Sequence, residues 1–241
     1  MVDLPHADLD GITGGRTVLV LAPHPDDESL GCGGLIAEAC ARGRPPVVAV
    51  LTDGTMSHPN SPSYPAPRLK ALREEEARAA VECLGLGADR VVFLGLRDTA
   101  APTEGPEFLD ALARLRRLIH DHDVGSILVT WEHDPHPDHV AAHRLAAEAA
   151  RLSGVRLIAY PVWGWTLPAH RCLPRGPTTG ARLDIARHLP AKRRAIAAHA
   201  SQYSPLIDDD PQAFRLSAEM LAIHDRPFEV FLFPATGGGA A

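Results

Sequence analysis

Along the chain, short and almost unbroken apolar runs alternate with longer stretches in which apolar positions recur every three or four residues. The runs Thr17 to Ala22, Val47 to Thr52, Arg90 to Leu94, Ser126 to Trp131, Arg156 to Tyr160 and Glu229 to Phe233 have strand length and few polar positions, as strands covered on both faces require. Helical periodicity occupies Leu30 to Arg42, Pro67 to Leu84, Pro106 to Asp121 and Pro137 to Leu152. A later pair, Ala191 to Ser201 and Pro211 to His224, is expected to pack against one end of the sheet. This alternation predicts the α/β class. The expected architecture is a Rossmann-like, doubly wound, mostly parallel sheet in one domain over residues 1–241, with C-terminal strands and helices appended.

Two proline-, glycine- and serine-rich stretches, Thr55 to Pro67 and Pro161 to Gly180, read as loops. Segments 1–15 and 235–241 read as loosely ordered tails. Composition narrows the functional classes. With 45% apolar and 22% charged residues the chain is an ordinary globular one, and 24 basic against 30 acidic residues leave a net charge of -6. That balance argues against nucleic-acid binding and points to a small-molecule partner. No apolar run approaches the roughly 20 residues of a membrane helix, and no secretory signal pattern opens the chain, so the expected compartment is the cytoplasm. Homo-oligomerisation stays open. Cys32, Cys40, Cys83 and Cys172 form no C-x-x-C pair and read as reduced thiols.

Chemistry concentrates in two places. After the first strand comes Pro23-His24-Pro25-Asp26-Asp27-Glu28, and after the fourth comes Glu132-His133-Asp134-Pro135-His136-Pro137-Asp138-His139. In a doubly wound sheet those strands are neighbours whose helices lie on opposite faces, so both clusters meet where the strand ends diverge. There His24, Asp27 and His139 could converge as two imidazoles and a carboxylate, a set suited to Zn²⁺ with positions open for water and substrate. The competing reading is structural: Asp26 or Asp27 caps the first helix, Pro137 opens the fourth, and the histidines lie on the surface.

These residues resemble the LmbE-like or PIG-L-type deacetylases, zinc-dependent hydrolases acting on N-acetylglucosamine derivatives. The resemblance rests on Pro23 to Glu28 with Gly31-Cys32-Gly33-Gly34, on Leu51-Thr52-Asp53-Gly54, on Arg73 with Glu76, on Gly95-Leu96-Arg97-Asp98, on His136-Pro137-Asp138-His139, and on Lys192 with His199-Ala200-Ser201-Gln202. It implies a metal-dependent N-deacetylase of an amino sugar, with one zinc per chain on His24, Asp27 and His139. Asp26 is then the general base that activates water. His136 faces the oxyanion, and Asp138 is expected to hold the His136 ring. Either His136 or Asp26 protonates the leaving amine. Arg73, Asp98 and Asp53 are implied near the sugar, although Arg73 equally fits charge pairing on a solvated helix face. Asp134 stands where some relatives carry a tyrosine thought to assist the oxyanion.

The alternatives fit less well. Gly31-Cys32-Gly33 after a strand, with Asp53 about 20 residues on, suits a dinucleotide-binding fingerprint. Ile36, however, is bulky where helix and strand must approach, and acidic groups crowd the place a pyrophosphate would occupy. No G-x-S-x-G elbow supports a serine hydrolase. Tyr160, Trp163 and Trp165 are candidates for stacking on a sugar face, and His133 and His143 are extra imidazoles expected to be ordinary loop or helix residues.

Overall fold

The computed structural model describes residues 4–168 and 179–233. Seven strands form one sheet in the order β3-β2-β1-β4-β5-β7-β6: β1 Thr17–Ala22, β2 Val47–Thr52, β3 Val91–Leu96, β4 Val124–Thr130, β5 Arg156–Tyr160, β6 Thr179–Asp184 and β7 Phe228–Phe233. The first five pair in parallel, and β7 pairs antiparallel with both β5 and β6. The doubly wound, mostly parallel expectation therefore holds, including β1 beside β4.

Among the described residues eight α-helices cover the sheet: α1 Leu9–Thr13, α2 Asp27–Ala41, α3 Ala66–Cys83, α4 Gly105–Asp121, α5 Pro137–Ser153, α6 Leu189–Ala198, α7 Ala200–Tyr203 and α8 Ala218–His224. Strand alternation divides their packing. Val18, Val20, Val48 and Val50 face a core shared with α1, α2, α3, α6 and α8, whereas Leu19, Leu21, Ala49 and Leu51 face one shared with α4 and α5. The two faces thus receive α2 and α5 separately, which opens a crevice between the ends of β1 and β4. No described helix is long and apolar enough to cross a membrane.

Three sequence expectations change. Residues 4–15 are not a loose tail: Asp8 caps α1 by accepting the Gly11 N–H, and Leu9 and Ile12 are buried in the core. Strand β6 was not expected, because its residues Thr179-Gly180-Ala181-Arg182-Leu183-Asp184 carry few large apolar groups, as the edge of a sheet allows. Of Pro211 to His224 only α8 is helical. The preceding segment instead donates the Phe214 N–H to Ser57 O and the Leu216 N–H to Gln202 O, so it runs as an extended strap. The expected tail 235–241 lies outside the described residues, as does Cys172.

The glycines that follow the first acidic cluster have a packing reason. A Cβ on Gly31 would overlap the Tyr160 ring, and one on Gly34 would overlap the Ile185 side chain. Tyr160 cannot give way, since it is fully buried and donates its hydroxyl to Leu21 O at 3.0 Å. Gly31→Ala is expected to lower stability by about 1–3 kcal/mol, the cost of overpacking a filled core, read as a lower urea midpoint at unchanged slope.

Candidate active site

The loop that leaves β1 carries His24 and Asp26 and runs into Asp27 at the start of α2, and the loop that leaves β4 carries Asp134 and His136 and runs into Asp138 and His139 in the first turn of α5. Asp27 sits at their meeting point. Its Oδ2 lies 3.2 Å from His24 Nδ1 and 3.2 Å from His139 Nε2, and it also accepts the His24 backbone N–H at 3.0 Å. The buried His139 Nε2 has no hydrogen-bond partner despite that proximity. Two groupings of side-chain donors are close enough to share an ion: His24 with His136 and His139, and His24 with Asp98 and Asp138. Asp27 is in neither grouping, but the two 3.2 Å contacts of its Oδ2 bring together His24, Asp27 and His139, expected from sequence, with His136 beside them.

Carboxylates hold the far sides of the rings. Asp134 Oδ2 lies 3.0 Å from His139 Nδ1, and it accepts the Val162 N–H as well. Asp138 Oδ2 lies 3.1 Å from His24 Nε2, and Asp98 Oδ1 lies 3.3 Å from the same nitrogen. Burial alone would lower the affinity of the His139 ring for a proton, but the Asp27 charge and the Asp134 bond raise its pKa to about 9. His24 is likewise raised well above its ordinary value, because Asp138, Asp27 and Asp98 outweigh its burial. A cluster with this surplus of negative charge demands a positive one.

His136 differs. It is the N-cap of α5, and its Nδ1 accepts the Asp138 backbone N–H at 3.2 Å. A ring accepting at Nδ1 carries its proton at Nε2 when neutral. Burial, reinforced by His24 and His139, pulls its pKa down to about 4. The expected side-chain contact from Asp138 is corrected here. Its carboxylate is spent on His24 and on the N–H groups of Thr99 and Ala101, so it ties the β3 loop to α5, and only its backbone reaches the His136 ring.

Asp26 is held from three directions in a backbone conformation costly for a side-chain-bearing residue, φ 143°. Its N–H donates to Glu28 Oε2 at 3.0 Å. Glu28 Oε1 in turn accepts from the Ser29 hydroxyl at 2.7 Å and lies 2.9 Å from His199 Nε2, at the hinge between α6 and α7. Arg73, buried rather than on a solvated face, reaches Asp26 Oδ2 at 3.2 Å while donating to Pro25 O and Gly54 O. Gly54 has φ 66°, and a Cβ there would strike that guanidinium. Burial lifts the Asp26 carboxyl to about 7, with Arg73 opposing and Asp27 adding to the shift.

A cavity of about 400 Å³ opens over this cluster, lined in part by His24, Asp26, Asp27, Arg73, Asp98 and His136. Asp53 does not line it. Its carboxylate accepts from Thr55 N and Oγ1, and more distantly from Asp98 N, so it shapes the loop that carries Met56 and Ser57. Of the three aromatic candidates only Trp163 lines the cavity; Tyr160 is core, and Trp165 stacks beneath Arg226. His143 is tied to Thr130 O and His133 packs edge-on against Trp131, both away from the cluster.

Sequence reasoning missed several supports. Asp134 looked like a missing tyrosine, yet it orients His139. Residue type alone gives Glu28, Glu76 and His199 no role. Glu76 accepts both the N–H and the hydroxyl of Ser201, which places Gln202 on the cavity wall. The signal lay in the spacing of acidic and hydroxyl-bearing residues, but their pairing spans 125 positions in sequence.

Fold and site together define an α/β enzyme whose reacting groups gather around a cation-seeking His/Asp cluster at the sheet's switch point. The PIG-L family, described as GlcNAc-PI de-N-acetylase, matches residues 19–150. A 1D-myo-inositol 2-acetamido-2-deoxy-alpha-D-glucopyranoside deacetylase from Nocardia farcinica (strain IFM 10152) is 30% identical, over 79% of this chain and 80% of that protein. A probable N-acetyl-alpha-D-glucosaminyl L-malate deacetylase 2 from Bacillus anthracis is 29% identical, over 80% and 84%. The fold is similar to that of the N,N'-diacetylchitobiose deacetylase from Pyrococcus horikoshii, with a TM-score of 0.67, 24% identity, and coverage of 94% of this chain and 87% of that one. The chain belongs to the PIG-L family, and its reaction class is amide hydrolysis by a deacetylase.

His199→Ala leaves the buried Glu28 charge without its partner and is expected to cost roughly 3–5 kcal/mol in urea unfolding. In the intact pair His199 holds Glu28 below its ordinary 4.5 despite burial, and Glu28 holds His199 above 6.5 despite burial. The Glu28 contribution is present above 4.5 and fades as pH falls through its lowered value; that of His199 is present below 6.5 and fades as pH rises through its raised value. The difference in stability between wild type and His199→Ala should therefore be greatest between these two ordinary values.

Proposed function

We propose that the protein removes the acetyl group from an N-acetylated amino sugar of the N-acetylglucosamine type, with the whole chain acting as one domain and one zinc ion held by His24, Asp27 and His139. The observation that carries this reading is Asp27 Oδ2 set 3.2 Å from a nitrogen of each histidine, while the far nitrogen of each ring is held by a further carboxylate. Carboxylate-backed imidazoles are the usual support of a metal site, and three protein ligands leave positions for water and substrate. The unpartnered, buried His139 Nε2 fits the same ion. The family description and both relatives' names share an N-acetylglucosaminyl amide, which supports the substrate class.

A bound zinc supplies the acidification of water and the polarisation of the acyl carbonyl. Asp26, held beside the cluster by Arg73 and Glu28, takes a proton as the water oxygen bonds to the carbonyl carbon. His136 donates Nε2–H to the developing oxyanion. Because its neutral ring has that single proton, the one that reaches the leaving nitrogen is the proton taken by Asp26. The C–N bond then breaks, giving acetate and the free amine. Asp138 and Asp98 steady His24, with Asp98 also on the cavity wall near the sugar. Arg73 positions the base, and Asp53 acts at a distance through its loop.

Asp26→Asn is expected to lower kcat for acetate release by about 10²-fold or more while metal content by elemental analysis stays at one per chain. Turnover that survives this change would show the base to be wrongly assigned. The His24→Ala, His139→Ala double variant should bind no zinc, and a chelator should stop acetate release by wild type until zinc is returned. If neither protein takes up metal, the hydrolytic reading falls and the nucleotide-binding alternative returns.

A further inference from the structure

The cavity lining is of two kinds. Part of it is polar, the reacting groups together with Ser57, Arg73, Asp98 and Gln202, and part is an apolar wall to which Leu30, Met56, Pro135, Trp163, Phe214 and Leu216 contribute. The wall is built rather than incidental. Trp163 meets Phe214 edge-on, with ring centroids 5.4 Å apart, and the strap that carries Phe214 and Leu216 is pinned by its N–H groups to Ser57 O at 2.8 Å and Gln202 O at 2.9 Å. It also has a direction. Met56 and Phe214 remain 40% and 38% exposed at the mouth, whereas Leu30 at 2% and Leu216 at 6% lie deep inside.

Resting on the deacetylase reading above, we propose that this wall is an aglycone subsite, and that the substrate is an N-acetylglucosaminide whose glycosidic substituent is apolar, alkyl or aryl. With the acyl carbon between Asp26 and His136, the substituent on C1, the ring carbon next to the one that bears the amide, stays close to the reacting groups and meets the Leu30, Trp163, Phe214 and Leu216 side chains of the same cavity. Sugar hydroxyls find partners on the polar part. A hydroxyl-rich or charged substituent against the wall would lose water without replacement bonds, whereas an apolar one gains by leaving water. Among the described lining residues Arg73 is the one arginine or lysine, its guanidinium already engaged by Pro25 O, Gly54 O and Asp26, and the His24 ring is already flanked by Asp27, Asp98 and Asp138. An anionic substituent such as a dicarboxylate therefore meets no free positive charge from these residues.

The test compares kcat/KM for acetate release by the zinc-loaded protein from free N-acetylglucosamine, from both anomers of its phenyl and octyl glycosides, and from its 1-phosphate. The phenyl or octyl glycoside of one anomer should exceed the free sugar by about tenfold or more, a ratio within reach of a few apolar contacts, and the phosphate should fall below it. In Trp163→Ala and in Phe214→Ser, each checked for native circular dichroism, the ratio should collapse toward one. Equal values for free and apolar glycosides, or a preference for the phosphate, would overturn the subsite while leaving the deacetylase reading intact. If no N-acetyl sugar is hydrolysed, that reading fails instead, and titration of phenyl glycoside followed by tryptophan fluorescence decides the subsite. Saturable binding weakened in Phe214→Ser upholds it; no binding overturns it too.

Discussion

Everything in this site depends on a single carboxylate placed between two imidazoles. Asp27 begins α2 on one face of the sheet, and His139 lies in the first turn of α5 on the other, so their approach at 3.2 Å spans the crevice where the windings diverge. The parallel pairing of β1 with β4 makes that approach possible. Buried acids and imidazoles in such numbers are unstable unless each is answered by a partner or an ion, which is why the surroundings are so fully committed.

That commitment runs outward in layers. Asp134 and Asp138 fix the rings, and Asp138 also gathers the Thr99 and Ala101 N–H groups, so the third strand's loop is anchored by the same residue that steadies His24. The strained Asp26 is held by Glu28 and Arg73, and Glu28 is completed by His199 from the C-terminal helices. A second bond set, Lys192 to Glu229 with Glu229 also taking the Gly34 and Leu35 N–H groups, locks those helices and β7 to α2. The C-terminal segments thus brace the proposed site even though they contribute no proposed ligand. They also build one side of the cavity, through Gln202, Phe214 and Leu216.

Legibility from sequence followed the range of the interaction. The strands β1, β2 and β5 were readable to the residue, because buried parallel strands are apolar runs with sharp ends. Edge strand β6 was missed, since an edge needs little apolar content. The short helix α1 was missed because five residues give too little periodicity, and the strap before α8 was misread because its backbone bonds go to other segments. The approach of His24, Asp27 and His139 to one another is legible because each lies within nine residues of the end of a strand whose place in the sheet is predictable. Asp53 also follows a strand, yet its carboxylate turned to its own loop, a local choice that residue type does not reveal.

The amino-acid order alone determined the α/β winding, the two acidic and imidazole clusters, and their meeting, since strand neighbours in a doubly wound sheet are set by handedness and short connections. It could not decide which nitrogen of each ring faces which carboxylate, that Asp138 serves His24 rather than the His136 ring, or that Asp134 serves His139. Nor could it show that Phe214 and Trp163 share a wall. Those outcomes rest on distances of a few ångströms between residues far apart in the chain, and only the closed tertiary structure, in which every buried polar group must find a partner at once, selects among them.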